Sequence, residues 1–559
     1  GFFPLQLLGL YMVQVWLVMF LGSAPEVPAA SISAPSPTPP VAEPDVASAP
    51  QSLRGQSQPS TLSQADQGGF DLDAPLSTLS WQPKTISVVL PCAEEREYAL
   101  KTVESVFSST PSDVLHEIVV VDDGSRPPLS ETVLGKEVCA KYRVRIERHE
   151  QTRGLIGAKK TGGDVATGDI VVFFDCHVAP QPNWHTDFLT LISENYRRMV
   201  VPHITALDVH TWTQMGGGGG LAKCYLTWDA DFKWVDSSDR YIPVISGGLL
   251  GMSRRWWQET GGYDVEMLGW GGENLDQSLR VWLCGGEIVM APKAEVAHMW
   301  RDGTKETQAR YRHVGDTERN RARAVYAWYG DFAKKLQDYP HFASRRAGSD
   351  GVPWYGDLSA FDVVRSSLGG CRPFAWFLHR FRDIYVDGGL LPGEIFKLRE
   401  DSSGMCLRFE GGAGTSQTGE GSAALSPCDA KDDRLFWHLG NTDRATRKCC
   451  SGLHAWNTDQ CFTGARADGK VETGVCSVGG LDGRQEWSLT SAGQLLRGST
   501  CMGVSSAGQR IVSGACLSFR GKSGGKWTKL EARVPLETEL YHAAMRDHPE
   551  LFAKSLPRR

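Results

Sequence analysis

The five-residue apolar run Ile170-Val171-Val172-Phe173-Phe174, closed by Asp175-Cys176-His177, constrains this chain more than any other segment. A run with no polar break reads as a strand covered on both faces, and such strands belong to parallel sheets layered between helices. Charge beside so apolar a segment needs a reason. A divalent cation supplies one, because a carboxylate and an imidazole two residues apart project from a turn toward a common point. A cation held there suits a diphosphate and takes up the charge of a leaving group. The bland alternative is a polar strand-end turn with a surface histidine.

The flanking sequence repeats the pattern. Ile86 to Pro91 reads as a strand, Glu95 to Ser108 has helical spacing, Glu117 to Val121 is a second strand, and Val144 to Ile146 is a third. A Gly-punctuated helix over residues 157–165 precedes the run at 170. Alternation of this kind implies a parallel, doubly wound sheet with ligands at the carboxyl ends of its strands. Asp123 and Asp175 both lie at such ends. Asp123 can accept from a uracil or ribose edge, a role compatible with an Asx-turn before Gly124.

Three clusters follow. Gly247-Gly248 are paired where a ligand or another backbone must come close. Gly269-Trp270-Gly271-Gly272-Glu273-Asn274 opens a helix. Glu273 there could serve the helix dipole, or Glu273 and Asn274 could grip sugar hydroxyls while the Trp270 indole covers an apolar sugar face. His298 offers a third metal ligand, and Arg301 a phosphate partner.

Composition supplies the setting. A net charge of −6 over 559 residues gives no polyanion-binding signal, so no nucleic-acid partner is expected. Fourteen cysteines favour an oxidising compartment. Residues 1–22 are almost wholly apolar and read as a transmembrane signal anchor, with a cleaved signal peptide as the alternative. Residues 23–80, rich in Pro, Ala and Ser, read as a disordered stem. Anchor, stem and globular region give the layout of a single-pass type II membrane protein with its catalytic part in the lumen of the Golgi or endoplasmic reticulum.

Residues 394–530 carry a threefold pattern: Cys406 and Cys428 precede Trp437, Cys461 and Cys476 precede Trp487, and Cys501 and Cys516 precede Trp527. Repeats of about forty residues that cannot bury a core alone mark a repeat-built domain. Each loop, if bridged, contributes about 3 kcal/mol in the chain-entropy model. The region resembles a ricin B-type β-trefoil lectin. That family places an Asp after Cys-Leu to hold a GalNAc hydroxyl, whereas these loops continue with Arg408, Thr463 and Gly503, so carbohydrate binding is expected to be weak or altered. Cys449 and Cys450 fall outside the scheme.

Residues 81–387 resemble the polypeptide N-acetylgalactosaminyltransferases, retaining enzymes that start mucin-type O-glycans. Asp175 and His177 match that family's Asp-x-His motif, Val296-Ala297-His298 its valine-glycine-histidine segment, and Trp270 to Asn274 its Trp-Gly-Gly-Glu-Asn block. The segment from Trp228 to Trp234 is similar to its Phe-Lys-Trp segment. The resemblance implies an α/β glycosyltransferase-A fold (Rossmann-like), a linker at 388–393, a tail at 531–559 and a disulfide between Cys284 and Cys371. It implies Mn²⁺ on Asp175, His177 and His298, with Glu273 and Arg301 completing the catalytic set. UDP-GalNAc would contact Asp123, Arg153, Gly154, Lys159, Gly247, Gly248, Trp270, Asn274 and Arg301. Trp228 and Trp300 would wall an acceptor groove for Ser/Thr-rich peptides or glycopeptides, core packing being their alternative. Departures stand at Pro91 and Ala93 (usually Thr and His), at Thr152 (usually Arg), at Lys159 (Arg) and at Lys293 (a cysteine). An inverting β-galactosyltransferase and an inactive, glycopeptide-binding protein remain as alternatives.

Overall fold

Strand β1 (Ile86–Cys92) is buried along its whole length, which is why its sequence shows no alternation. It pairs in parallel with β2 (Leu115–Asp123), and β2 pairs in parallel with β3 (Val144–His149). On its other side β1 runs parallel to β4 (Ile170–Phe173). This computed structural model describes residues 81–553 apart from 216–222, 236–238, 302, 415–419, 430, 441–451, 466–470, 477–482, 506–509 and 520–524. The expected anchor and stem, and Cys449 and Cys450, lie outside the described residues. Among the described residues no helix is long and apolar enough to cross a membrane.

The sheet continues through β5 (Val178–Pro180), β6 (Arg198–Asp208), β7 (Leu250–Ser253) and β8 (Glu287–His298). Its order is β3-β2-β1-β4-β7-β6-β8-β5, with Thr213–Gln214 beside β6. The expected all-parallel sheet is corrected here, because the sheet is mixed. β7 is antiparallel to both β4 and β6, and β5 is antiparallel to β8. The cause is the path between β6 and β7. The chain leaves at the carboxyl end of β6, forms a small three-stranded sheet (Lys223–Leu226, Phe232–Trp234, Val244–Ile245) and re-enters at the same end. With no crossover helix among the described residues of this path to carry it back, β7 runs the other way.

Five helices matter to the site: α1 (Glu97–Ser109), α2 (Gly154–Val165), α3 (Trp184–Glu194), α4 (Glu273–Leu283) and α5 (Thr317–Trp328). Every residue of α4 is buried, so its apolar stripe of Leu275, Leu279, Trp282 and Leu283 is only part of its packing. Arg280 pairs within it with Asp276 at 2.8 Å, while Gln277 donates out to the Gly262 carbonyl. Cys284, just past α4, is bonded to Cys371.

The second unit is all β, with an eight-stranded and a four-stranded sheet over Ile395–Arg533. Among the described residues it carries the disulfides Cys406–Cys428, Cys461–Cys476 and Cys501–Cys516. The three tryptophans converge: Trp437, Trp487 and Trp527 are at most 1 % exposed and share one core. The Trp437 indole donates to the Leu407 carbonyl and that of Trp527 to Met502, each acceptor immediately following the first cysteine of its own repeat. Trp487 breaks the pattern and donates to Arg484. Three such repeats closing on one core make a β-trefoil.

The tail is folded where it is described. Helix Leu536–Asp547 packs back on the first unit, with Glu537 3.1 Å from Lys335 and Tyr541 Oη 2.8 Å from His379 Nδ1. The two units also meet directly, through Lys233–Asp459 at 2.7 Å and a hydrogen bond from Lys335 Nζ to Asn457 at 2.7 Å.

Candidate active site

The carboxyl ends of β1, β2, β4 and β8 surround a cleft of about 180 Å³. Asp175 and His177 arrive from the turn after β4, and His298 ends β8. The three-residue pairing of β5 with β8 sets Val178 opposite His298 and so places His177 beside it. Asp175 Oδ2 lies 3.0 Å from His298 Nε2, and the two imidazole rings are 5.0 Å apart. One ligand atom from each of Asp175, His177 and His298 falls within 4.8 Å of the others. One carboxylate and two imidazoles form a donor set that fits a first-row divalent cation.

The electrostatics favour a cation. Burial pushes the Asp175 carboxyl up, but the His298 hydrogen bond, Lys159 and His177 outweigh it and hold the group well below the usual carboxylate range. Burial holds His298 below the ordinary imidazole value, so it is neutral and able to ligate.

Asp123 sits at the end of β2 as expected. It accepts from Thr152 Oγ1 (2.5 Å), from the backbone N–H groups of Arg153 and Gly154 (both 2.8 Å) and from His149 Nδ1 (2.7 Å). Burial alone would raise its pKa; these four donors lower it below the ordinary value. Thr152, where the family has Arg, therefore spends its hydroxyl on Asp123. The Arg153 side chain is not part of the cleft lining, although Thr152, Gly154, Pro91 and Ala93 are. Gly154 has φ +82°, and a Cβ on it would lie 2.3 Å from Gly269 Cα. Only glycine fits there.

The remaining donor candidates divide. Trp270, Trp300 and Arg301 line the cleft, as do Tyr311 and His313 of the segment after Arg301. The Trp300 and His298 rings are 4.7 Å apart. Gly247, Gly248, Glu273 and Asn274 are set behind this lining. A Cβ on Gly248 would lie 3.0 Å from Asp175 Oδ2, and one on Gly247 3.4 Å from Glu273 Oε1. Glu273 is 2 % exposed, and among the described residues its Oε2 has no hydrogen-bond partner. Burial pushes its pKa up, partly opposed by Lys159. Asn274 donates to the Ile245 carbonyl at 3.3 Å. Lys159 does not reach into the cleft. It is fully buried, and its Nζ donates to the carbonyls of Gly247 (2.5 Å) and Gly248 (3.0 Å), so it props the glycine pair from behind.

Beyond Arg153 and Lys159, Trp228 and Glu95 also depart from the expected site, Trp228 taking its core-packing alternative. Trp228 is not in the cleft. Its indole donates to the Leu390 carbonyl at 2.8 Å and lines a second, smaller cavity at the junction with the trefoil, beside Trp456 and Asn457. Its packing role follows from its position in the turn between Lys223–Leu226 and Phe232–Trp234, beside the trefoil. Glu95 was not singled out, yet it is 6 % exposed, lines the cleft and accepts from Arg301 Nη2 at 2.6 Å. His177 Nδ1 lies 3.3 Å away, off the line of a hydrogen bond. Burial raises the Glu95 pKa, but His177 and Arg301 bring it below the ordinary value. The available signal was an acid just past the end of β1, the same position type as Asp123 and Asp175.

Residues 87–255 match the Glycosyl transferase family 2 model, and residues 236–301 match the model described as the N-terminal domain of galactosyltransferase. Polypeptide N-acetylgalactosaminyltransferase 4 of Caenorhabditis elegans is 28% identical over 352 residues, which are 60% of this chain and 56% of that protein. Human polypeptide N-acetylgalactosaminyltransferase 15 is 30% identical over 453 residues, 78% of this chain and 65% of that protein. The chain spans about half the length of the first curated relatives it matches. The crystal structure of GalNAc-T7 with UDP, GalNAc and Mn²⁺ superposes with a TM-score of 0.50 at 24% identity, covering 80% of this chain and 82% of that one. That likeness shows the fold, an α/β glycosyltransferase-A unit with a β-trefoil behind it. The first unit of this chain is similar in sequence to the polypeptide N-acetylgalactosaminyltransferases.

Proposed function

We propose that this chain transfers GalNAc from UDP-GalNAc to Ser or Thr hydroxyls of polypeptides or glycopeptides, with retention and with Mn²⁺ as its cofactor. The observation that carries the reading is the convergence of Asp175, His177 and His298 at one wall of the cleft. Relatives named for this activity support it, as does a neighbouring fold crystallised with UDP, GalNAc and Mn²⁺. Asp175, His177 and His298 would hold the cation, which supplies Lewis-acid stabilisation of the diphosphate leaving group.

The protein's own groups do the rest. Asp123 and the apolar wall of Pro91, Ala93 and Leu155 receive the nucleoside end. Arg301, held by Glu95, adds a charge-assisted contact to a phosphate oxygen. The unpartnered Oε2 of Glu273 is the acceptor awaiting a sugar hydroxyl. Retention by double displacement needs a carboxylate beneath the anomeric carbon. Glu273 is set back behind the glycine pair and Glu95 is committed to Arg301, so front-face attack is favoured. The acceptor oxygen bonds to the anomeric carbon as the bond to the diphosphate oxygen breaks, and its proton passes to a phosphate oxygen. An inverting transfer would need a base at position 274, where Asn274 is turned to a backbone carbonyl.

The trefoil is proposed as a weak or altered lectin that helps position the acceptor. Arg408, in the position where the ricin-type pattern has Asp, is tied to Asp432 at 2.8 Å and to Glu410 at 2.7 Å. A Golgi or endoplasmic-reticulum location, held by the N-terminal anchor, is part of the same proposal. Purified protein incubated with UDP-GalNAc, Mn²⁺ and Ser/Thr-rich peptides, with and without preinstalled GalNAc, tests the reading by mass spectrometry. An α-linked product that disappears in Asp175→Ala is the expected result. No transfer to either peptide class, despite UDP and Mn²⁺ binding, would overturn it.

A further inference from the structure

Cys176 stands between Asp175 and His177, and its sulfur is bonded to Cys92 at the end of β1. Both cysteines are at most 1 % exposed, and both line the cleft. The bond joins partners 84 residues apart and is not among the pairings that the resemblance implies.

The backbone around this bond is held unevenly. The β1–β4 ladder ends with Val89 opposite Phe173, and one further bond runs from the Phe174 N–H to the Val89 carbonyl at 3.1 Å. On the far side, the Met299 N–H donates to the His177 carbonyl at 3.1 Å, where β5 joins β8. Between those anchors, among the described residues, neither Asp175 nor Cys176 makes a backbone–backbone hydrogen bond. β1 and β4 have stopped pairing at this level, so the sulfur bridge takes over from the ladder.

We infer that Cys92–Cys176 is a positioning clamp for the divalent-cation site. It holds the turn so that Asp175 and His177 face His298 before the cation arrives. Binding then need not order the turn, which is how outer groups around a metal raise its affinity without touching it. The inference rests on the Mn²⁺ reading of the cluster. It also separates this bridge from Cys284–Cys371, which ties the end of α4 to a later loop and touches no candidate ligand.

The test is Mn²⁺ titrated into the full chain, with and without UDP, the unbound ion being followed by its electron paramagnetic resonance signal. Non-reducing peptide mapping first establishes the Cys92–Cys176 link in the protein; free thiols at both positions would overturn the clamp. In C92A/C176A the Mn²⁺ dissociation constant should rise about 10- to 100-fold. The same variant should regain most of its transfer rate at saturating Mn²⁺, whereas a role in stability alone would move the melting temperature and leave the affinity untouched. C406A/C428A, far from the cleft, should bind Mn²⁺ as the unaltered protein does. If C92A/C176A does not fold, C92S/C176S is titrated in its place. Equal affinity in a folded variant and the unaltered protein removes the clamp and leaves the metal reading standing. No Mn²⁺ binding by the unaltered protein removes both.

Discussion

At the residue scale, the site contrasts two carboxylates. Asp123 is surrounded by donors, whereas Glu273 is buried with one oxygen unused. Glu273→Gln should lower kcat/KM about 10- to 100-fold, the worth of one charged hydrogen bond of ~1.5–3 kcal/mol. Its melting temperature should not fall, because burial already disfavours the Glu273 charge; calorimetry beside the kinetics checks both. Asp123 predicts a pH effect of definite sign. Its folded pKa lies below the ordinary carboxyl value of about 3.9, so its contribution is present above that pH and is lost as pH falls through the folded value. In urea titrations below about pH 4, the stability gap between the unaltered protein and Asp123→Asn should therefore narrow. A gap constant with pH would show that the four donors do not act on the charge. Asp123 and Asp175 were legible because each closes an apolar run, and His298 because it stands beside Arg301 in a segment that resembles a family motif. Glu95 was not, because beside Glu94 and Glu97 it read as the acidic start of a helix.

At the element scale, strand and helix order could be read from hydrophobic runs, but direction could not. The apolar stretch of β7 looks the same whichever way it runs, and only the shared end of its entry and exit decides. Contacts made by backbone approach were also hidden. Gly154 appears in sequence as one more glycine, yet it opens α2 against Gly269 with no room for a methyl group. Gly154→Ala should cost about 2–3 kcal/mol of stability, from positive φ and overpacking together. It should also weaken UDP binding, because the Gly154 N–H is one of the donors on Asp123. Chemical denaturation and nucleotide titration on the same variant would separate the two effects.

At the scale of the whole molecule, the threefold Cys and Trp spacing announced the trefoil. How the trefoil attaches was illegible, because the joint is made of single polar residues from distant segments. Lys335 carries much of it, reaching Asn457 of the trefoil and Glu537 of the C-terminal helix while only 3 % of its side chain is exposed. Lys335→Met leaves Glu537 buried without its cation, and such losses cost about 3–5 kcal/mol. Protease cleavage in 388–393 should become faster; unchanged cleavage would mean that the joint is held elsewhere. One feature of the first unit reaches beyond catalysis. His177 and His298 are neighbours only because three residues of β5 lie in one particular alignment on β8, and a slip of β5 by one position would turn its residues to the opposite face and take His177 out of line with His298. The pair therefore exists only once β5 has docked on β8 at the edge of the sheet. A cation bound by Asp175, His177 and His298 would favour that docked state by mass action over any state in which the strand is loose, and would in this way inspect folding.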